Sequence, residues 1–103
     1  MLRLKKGVIV NHLTAPEMWL AAYVVDRILQ HNYSVPYTTI TSGLDGVHGK
    51  GSLHPKGKAL DFRTNDWPQG KAEWITAEII KALGKQYDVV YEGDHLHVEF
   101  DPK

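Results

Sequence analysis

Ser52-Leu-His-Pro-Lys-Gly-Lys-Ala-Leu-Asp-Phe-Arg63 changes character at its midpoint. Up to Lys58 it is a Gly/Pro-containing approach. From there Leu60 and Phe62 alternate with Ala59, Asp61 and Arg63. Residues two apart share one face of a strand, so this segment turns an apolar side to the core and Asp61 to the other face. The same period recurs in His95-Leu-His-Val-Glu-Phe100, with Leu96, Val98 and Phe100 as the apolar row and His95, His97 and Glu99 as the polar one. If the two strands are neighbours, Asp61 and His97 project from the same face of one sheet. His54, in the approach to its strand, can fold back over them. Aspartate is disfavoured inside strands, so Asp61 between Leu60 and Phe62 needs a compensating partner. Two imidazoles and one carboxylate form the donor set of a catalytic zinc site, with three protein ligands and a fourth position left to water.

Outward from these strands, Thr14-Ala-Pro-Glu17 reads as a helix start, with Thr14 as cap and Glu17 completing a capping box. Met18, Ala21, Ala22, Val25, Ile28 and Leu29 then give a helical apolar stripe to about residue 31. Tyr37 to Thr41 is rich in β-branched residues and predicts a strand. A glycine-rich loop from Gly43 to Gly51 leads into the Asp61 strand. Ala72 to Leu83 suits a second helix, with Trp74, Ile75 and Ile79 inward and Gly84 as its stop. Tyr87 to Tyr91 and His95 to Phe100 form a hairpin around Glu92-Gly93-Asp94. These elements predict an α+β fold: a small, mainly antiparallel sheet with two helices on one side and the zinc site on the open face.

The 103 residues suit one domain, 1–103, with a single core. Twelve basic and twelve acidic residues cancel, so no broad electrostatic footprint for nucleic acid exists. With no cysteine, a metal must be held by nitrogen and oxygen. Met1-Leu-Arg-Leu-Lys-Lys carries charges like a signal peptide's start, but only Val8-Ile-Val10 follows, too short for a signal core or a membrane span. The expectation is a monomer without membrane or nucleic-acid partners. His12, His31 and His48 read as surface residues, and Gly49-Lys-Gly-Ser52 lacks the spacing of a phosphate loop. The bland alternatives for the site are a loop histidine at His54, a strand-end carboxylate at Asp61, and a pH-sensitive strand edge at His95 and His97.

The run S-x-H-x-x-G-x-A-x-D, formed by Ser52, His54, Gly57, Ala59 and Asp61, resembles the first signature of the M15 zinc peptidases. These are the D-Ala-D-Ala carboxypeptidases and L-Ala-D-Glu endopeptidases, several phage lysins among them. Asp94 to His97 resembles the second signature, an acidic residue three before the last ligand. His95-Leu-His97 also matches the H-x-H of the wider group that includes lysostaphin-type enzymes and the hedgehog domain. Ile40-Thr-Ser-Gly43 is similar to the strand leading into such a site, so the resemblance spans about residues 38 to 100. One departure stands out. The family follows Ser-Gly with an aromatic and an arginine that holds the substrate's carboxylate, whereas this chain has Leu44-Asp45.

The resemblance implies a peptidoglycan stem peptide as substrate and Zn2+ held by His54, Asp61 and His97. A nearby carboxylate must take the attacking water's proton and return it to the leaving amine. Asp94 stands where the family has its acidic residue, and Glu92 in the same turn is the runner-up. Strand parity puts His95 on the face of His97, where it can stabilise the oxyanion. Ser52 is a candidate to hold His54's second nitrogen or a substrate amide, and Arg63 to replace part of the missing arginine's role. The missing arginine favours an internal bond over a terminal D-Ala-D-Ala. An enzyme of this class made in the cytoplasm would reach the wall with phage holins or as part of a virion. The alternatives are a D-Ala-D-Ala carboxypeptidase, a hydrolase of another amide, and a non-catalytic wall-binding or virion module with a vestigial zinc site.

Overall fold

Leu60 and Phe62, both fully buried, point to one side of their strand and fix where the core lies. The computed structural model describes residues 1–45, 53–54 and 56–102. Within it the chain runs β1 (Leu2–Leu4), α1 (Pro16–Tyr33), β2 (Thr38–Ser42), β3 (Ala59–Arg63), α2 (Ala72–Leu83), β4 (Tyr87–Tyr91) and β5 (His95–Phe100). Among the described residues the strands form one five-stranded sheet in the order β1-β2-β3-β5-β4. It is antiparallel except where β1 pairs parallel to β2. This is a small α+β fold with its two helices on the apolar side of the sheet.

The core is one cluster. Met18, Ala21, Ala22, Val25 and Leu29 of α1 and Ile75 and Ile79 of α2 meet Ile40, Leu60, Phe62, Leu96 and Val98 from the sheet. The stripe of α1 is therefore the one its spacing predicts. Burying each of the Val, Leu, Ile, Met and Phe side chains contributes roughly 1.5–3 kcal/mol, and truncating Phe62 to alanine would cost about 3–5 kcal/mol.

The helix ends differ from expectation. Thr14 is not the cap of α1. Its hydroxyl accepts the Asn11 amide at 3.2 Å, Ala15 occupies the cap position without a side-chain bond, and Pro16 opens the helix. Proline is preorganised for that first position, so the helix starts without a capping box. The helix also runs past residue 31 to Tyr33. The chain leaves it through Ser34 in the left-handed conformation, with the Val35 amide donating to Leu29 O. Trp74 is not inward either: it is 67% exposed, with the Lys71 ammonium 5.0 Å from its ring centre. Ile75 and Ile79 define the buried stripe of α2, and Trp74 lies about 100° around the helix from Ile75. The short β1 strand, exposed throughout, was not anticipated.

The register of the central strands positions the site. Across β3 and β5, Asp61 pairs with His97 and Arg63 with His95, so all four share the face turned away from the helices. On the other flank the β2–β3 register shifts between Ile40 and Ser42, which sets Ser42 opposite Asp61. Such irregularities re-aim side chains, and this one lies directly beside Asp61. Gly57 brings the approach to β3 into close packing. At φ +73 its missing Cβ would stand 2.1 Å from Leu13 O, and its own carbonyl accepts the Ala15 amide at 2.8 Å.

Candidate metal centre

Three polar atoms converge beneath the turned-back segment that carries His54. His54 Nε2 lies 3.2 Å from Asp61 Oδ1 and 3.2 Å from His97 Nδ1, and His97 Nδ1 lies 2.9 Å from the same Asp61 oxygen. His54 is 1% exposed and Asp61 9%, so the group is withdrawn from water. The outward nitrogens decide the tautomers. His54 Nδ1 is 2.9 Å from Gly43 O, a carbonyl that can only accept, so this nitrogen carries the hydrogen. His97 Nε2 is 2.8 Å from Glu99 Oε1, and it donates to that carboxylate. In the neutral imidazoles the inner nitrogens are then lone pairs, facing each other and a carboxylate oxygen. Three acceptors at such distances need a cation between them, either a proton or a metal ion.

The titration behaviour expresses the same demand. Burial pushes the Asp61 carboxyl up, but hydrogen bonds and charge from His54 and His97 outweigh it and hold Asp61 far below the usual carboxylate range. The hydrogen bond to Asp61, opposed by burial and helped by Glu99, pushes His97 up to about 9. In the metal-free protein His97 is thus an imidazolium between two carboxylates. His54, Asp61 and His97 together can hold a metal ion.

A polar cavity of about 310 Å³ opens beside Asp61, walled by Ser42, Arg63, Asp94, His95 and Lys5 among others. Asp94 Oδ1 lies 2.6 Å from His95 Nδ1, and this bond holds the Asp94 carboxyl below its ordinary value. Glu92 reaches the other ring nitrogen of His95 only at 3.8 Å and is not part of the cavity wall. Arg63 faces the cavity from the end of β3. Asp45, the residue standing where an arginine was expected, accepts the Ile9 amide at 2.7 Å and the Gly43 amide at 2.9 Å. Its carboxylate ties the segment after β1 to the end of β2. The role expected of Ser52, the loop around Gly49 and the surface position of His48 lie outside the described residues. His12 and His31 are exposed.

Three contributors were missed from sequence. Glu99 had a usable signal, since it lies two residues from His97 on the same strand face. The Gly43 carbonyl and Lys5 had none, because each reaches the site through contacts distant in sequence.

No family model matches the chain, and no curated protein matches it. Among the described residues no helix is long and apolar enough to cross a membrane.

Proposed function

We propose that this chain is a zinc-dependent peptidase that cleaves within the stem peptides of peptidoglycan. The observation that carries the reading is the trio of inward acceptors, His54 Nε2, Asp61 Oδ1 and His97 Nδ1, separated by 3.2, 3.2 and 2.9 Å. Donors at 2.0–2.2 Å from a tetrahedral zinc stand roughly 3.3 Å apart, so this set fits the ion with little rearrangement. Both histidines also have their second nitrogen held, by a carbonyl and a carboxylate, as zinc-ligating imidazoles usually do. When bound, zinc would lower the pKa of a coordinated water and polarise a substrate carbonyl.

The remaining roles belong to the chain. Asp94, ionised at neutral pH and lining the cavity, accepts the proton of the attacking water and passes it to the leaving amine. His95 orients that carboxylate through the 2.6 Å bond that its Nδ1–H donates to Asp94 Oδ1. The murein substrate rests on the resemblance of Ser52 to Asp61 and of Asp94 to His97 to the M15 signatures.

Digestion of purified sacculi by the zinc-loaded protein, with new termini identified by mass spectrometry, tests this. Cleavage at an internal stem bond is expected, and Asp94→Asn should keep the metal while losing roughly two orders of magnitude in rate. Intact sacculi after incubation with fully zinc-loaded protein would overturn the peptidase reading. Loss of activity in Glu92→Gln with Asp94→Asn nearly unaffected would move the base to Glu92.

A further inference from the structure

His54 owes its orientation to a carbonyl, and that carbonyl is itself tied down. Gly43 O receives the His54 Nδ1 hydrogen at 2.9 Å. The amide of the same peptide group, Leu44 N, donates to Ile9 O at 2.7 Å. Ile9 N and Gly43 N then both donate to Asp45 Oδ1, at 2.7 and 2.9 Å. One carboxylate oxygen thus fastens both sides of the group that His54 addresses. The approach leaves no slack, since a Cβ on Gly43 would stand 2.4 Å from Ile9 O and 2.7 Å from Val10 Cγ1. The segment before α1 also grips the other side of His54. Ala15 N donates to Gly57 O at 2.8 Å, and Gly57 N donates to His54 O at 3.0 Å.

We infer that Asp45 is a positioning residue for the metal centre, acting on His54 through Ile9 and the Gly43 carbonyl. The inference rests on the metal reading of His54, Asp61 and His97, not on peptide cleavage. Amide bonds to an ionised carboxylate are roughly twice as strong as those between neutral groups, so Asp45 holds its two partners firmly. The Leu44 amide, by donating to Ile9 O, polarises the Gly43 carbonyl of its own peptide group and makes it a better acceptor. That carbonyl keeps the hydrogen on Nδ1 and leaves Nε2 bare toward Asp61 and His97. Without the carboxylate, the Ile9 and Gly43 amides are released, the carbonyl shifts, and the ring of His54 is free to turn. Asp45 is not part of the cavity wall, so this role is separate from contact with a substrate.

Zinc affinity is measured by competition with a chromophoric chelator on the full chain carrying Asp45→Ala or Asp45→Asn. Alanine should weaken zinc binding about 10–100-fold, the usual worth of a group that orients a ligating histidine. Asparagine keeps an oxygen for both amides and should recover most of that loss. Ile79→Val, which lowers stability in the core without touching this chain of bonds, should leave zinc affinity unchanged. The His54 Nδ1 proton, followed by nitrogen-15 NMR, should exchange with water faster in Asp45→Ala, with zinc and without it. Coupling is reciprocal, so zinc should slow exchange of the Ile9, Gly43 and Leu44 amides about tenfold in wild-type protein, a test that needs no variant to fold. Wild-type affinity in Asp45→Ala, a loss no smaller with asparagine, or the same loss in Ile79→Val would overturn the inference. So would amide exchange left unaltered in zinc-loaded protein, or an unaffected His54 proton whether or not zinc binds. A wild-type protein that binds no zinc, but whose His54 proton still exchanges faster in Asp45→Ala, would remove the metal reading and leave the positioning role standing.

Discussion

His97 uses both ring nitrogens, with Nδ1 turned to Asp61 at 2.9 Å and Nε2 donating to Glu99 at 2.8 Å. The second bond fixes which nitrogen faces inward, so Glu99 sets how His97 would present itself to a metal ion. Glu99→Gln keeps the shape but makes the fixed tautomer optional. Metal affinity should fall about 10–100-fold, as measured by competition with a chromophoric chelator, and an unchanged affinity would show that Glu99 does not set the tautomer. At this scale much of the site was legible. Asp61 announced itself as a carboxylate where strands avoid one, and the parity of His95-Leu-His97 put His97 beside it. Glu99 followed the same parity, but its role needs the direction of an imidazole. The inward turn of Asp45 toward two backbone amides needs the position of the segment after β1, which no local pattern records.

The strands were the most readable elements, because a period of two leaves little freedom once Leu60, Phe62, Leu96 and Val98 must face the core. The exceptions have separate causes. Thr14 lost the cap because proline at the next-but-one residue opens the helix by itself and the Thr14 hydroxyl found the Asn11 amide. Hydrophobicity alone turns Trp74 inward, whereas the geometry of α2 gives the buried stripe to Ile75 and Ile79. β1 has only three residues, none buried, and exists through its pairing with β2. The approach to β3 makes its own testable demand at Gly57. An added Cβ would meet Leu13 O at 2.1 Å with the backbone at φ +73, so Gly57→Ala should destabilise the fold by roughly 2 kcal/mol or more in urea unfolding. It should also weaken metal binding, because His54 lies in the same segment and its carbonyl accepts the Gly57 amide at 3.0 Å. A variant of wild-type stability would show that this segment yields freely.

For the whole molecule, the buried trio couples folding to protons, and would couple both to a metal ion held there. In the metal-free protein His97 is raised from 6.5 to about 9, so its stabilising contribution is full below pH 6.5 and is lost as pH climbs through 9. Asp61 is depressed, so its contribution is present above its ordinary 3.8 and is lost only as pH falls toward its lowered native value. The chelator-treated protein should therefore lose melting temperature between pH 6.5 and 9. The increment from added zinc should grow over the same range, because the ion must displace the proton on His97. A melting temperature flat across that window without metal would mean that His97 is not held as the imidazolium. The expectations that involve the metal share a single assignment: His54, Asp61 and His97 would hold the ion together. The most direct measurement is the zinc content of purified wild-type protein and of His97→Ala, both dialysed against metal-free buffer. About one zinc per wild-type chain and a small fraction of that in His97→Ala is the predicted result. Equal zinc in the two proteins, or none in either, would contradict the account.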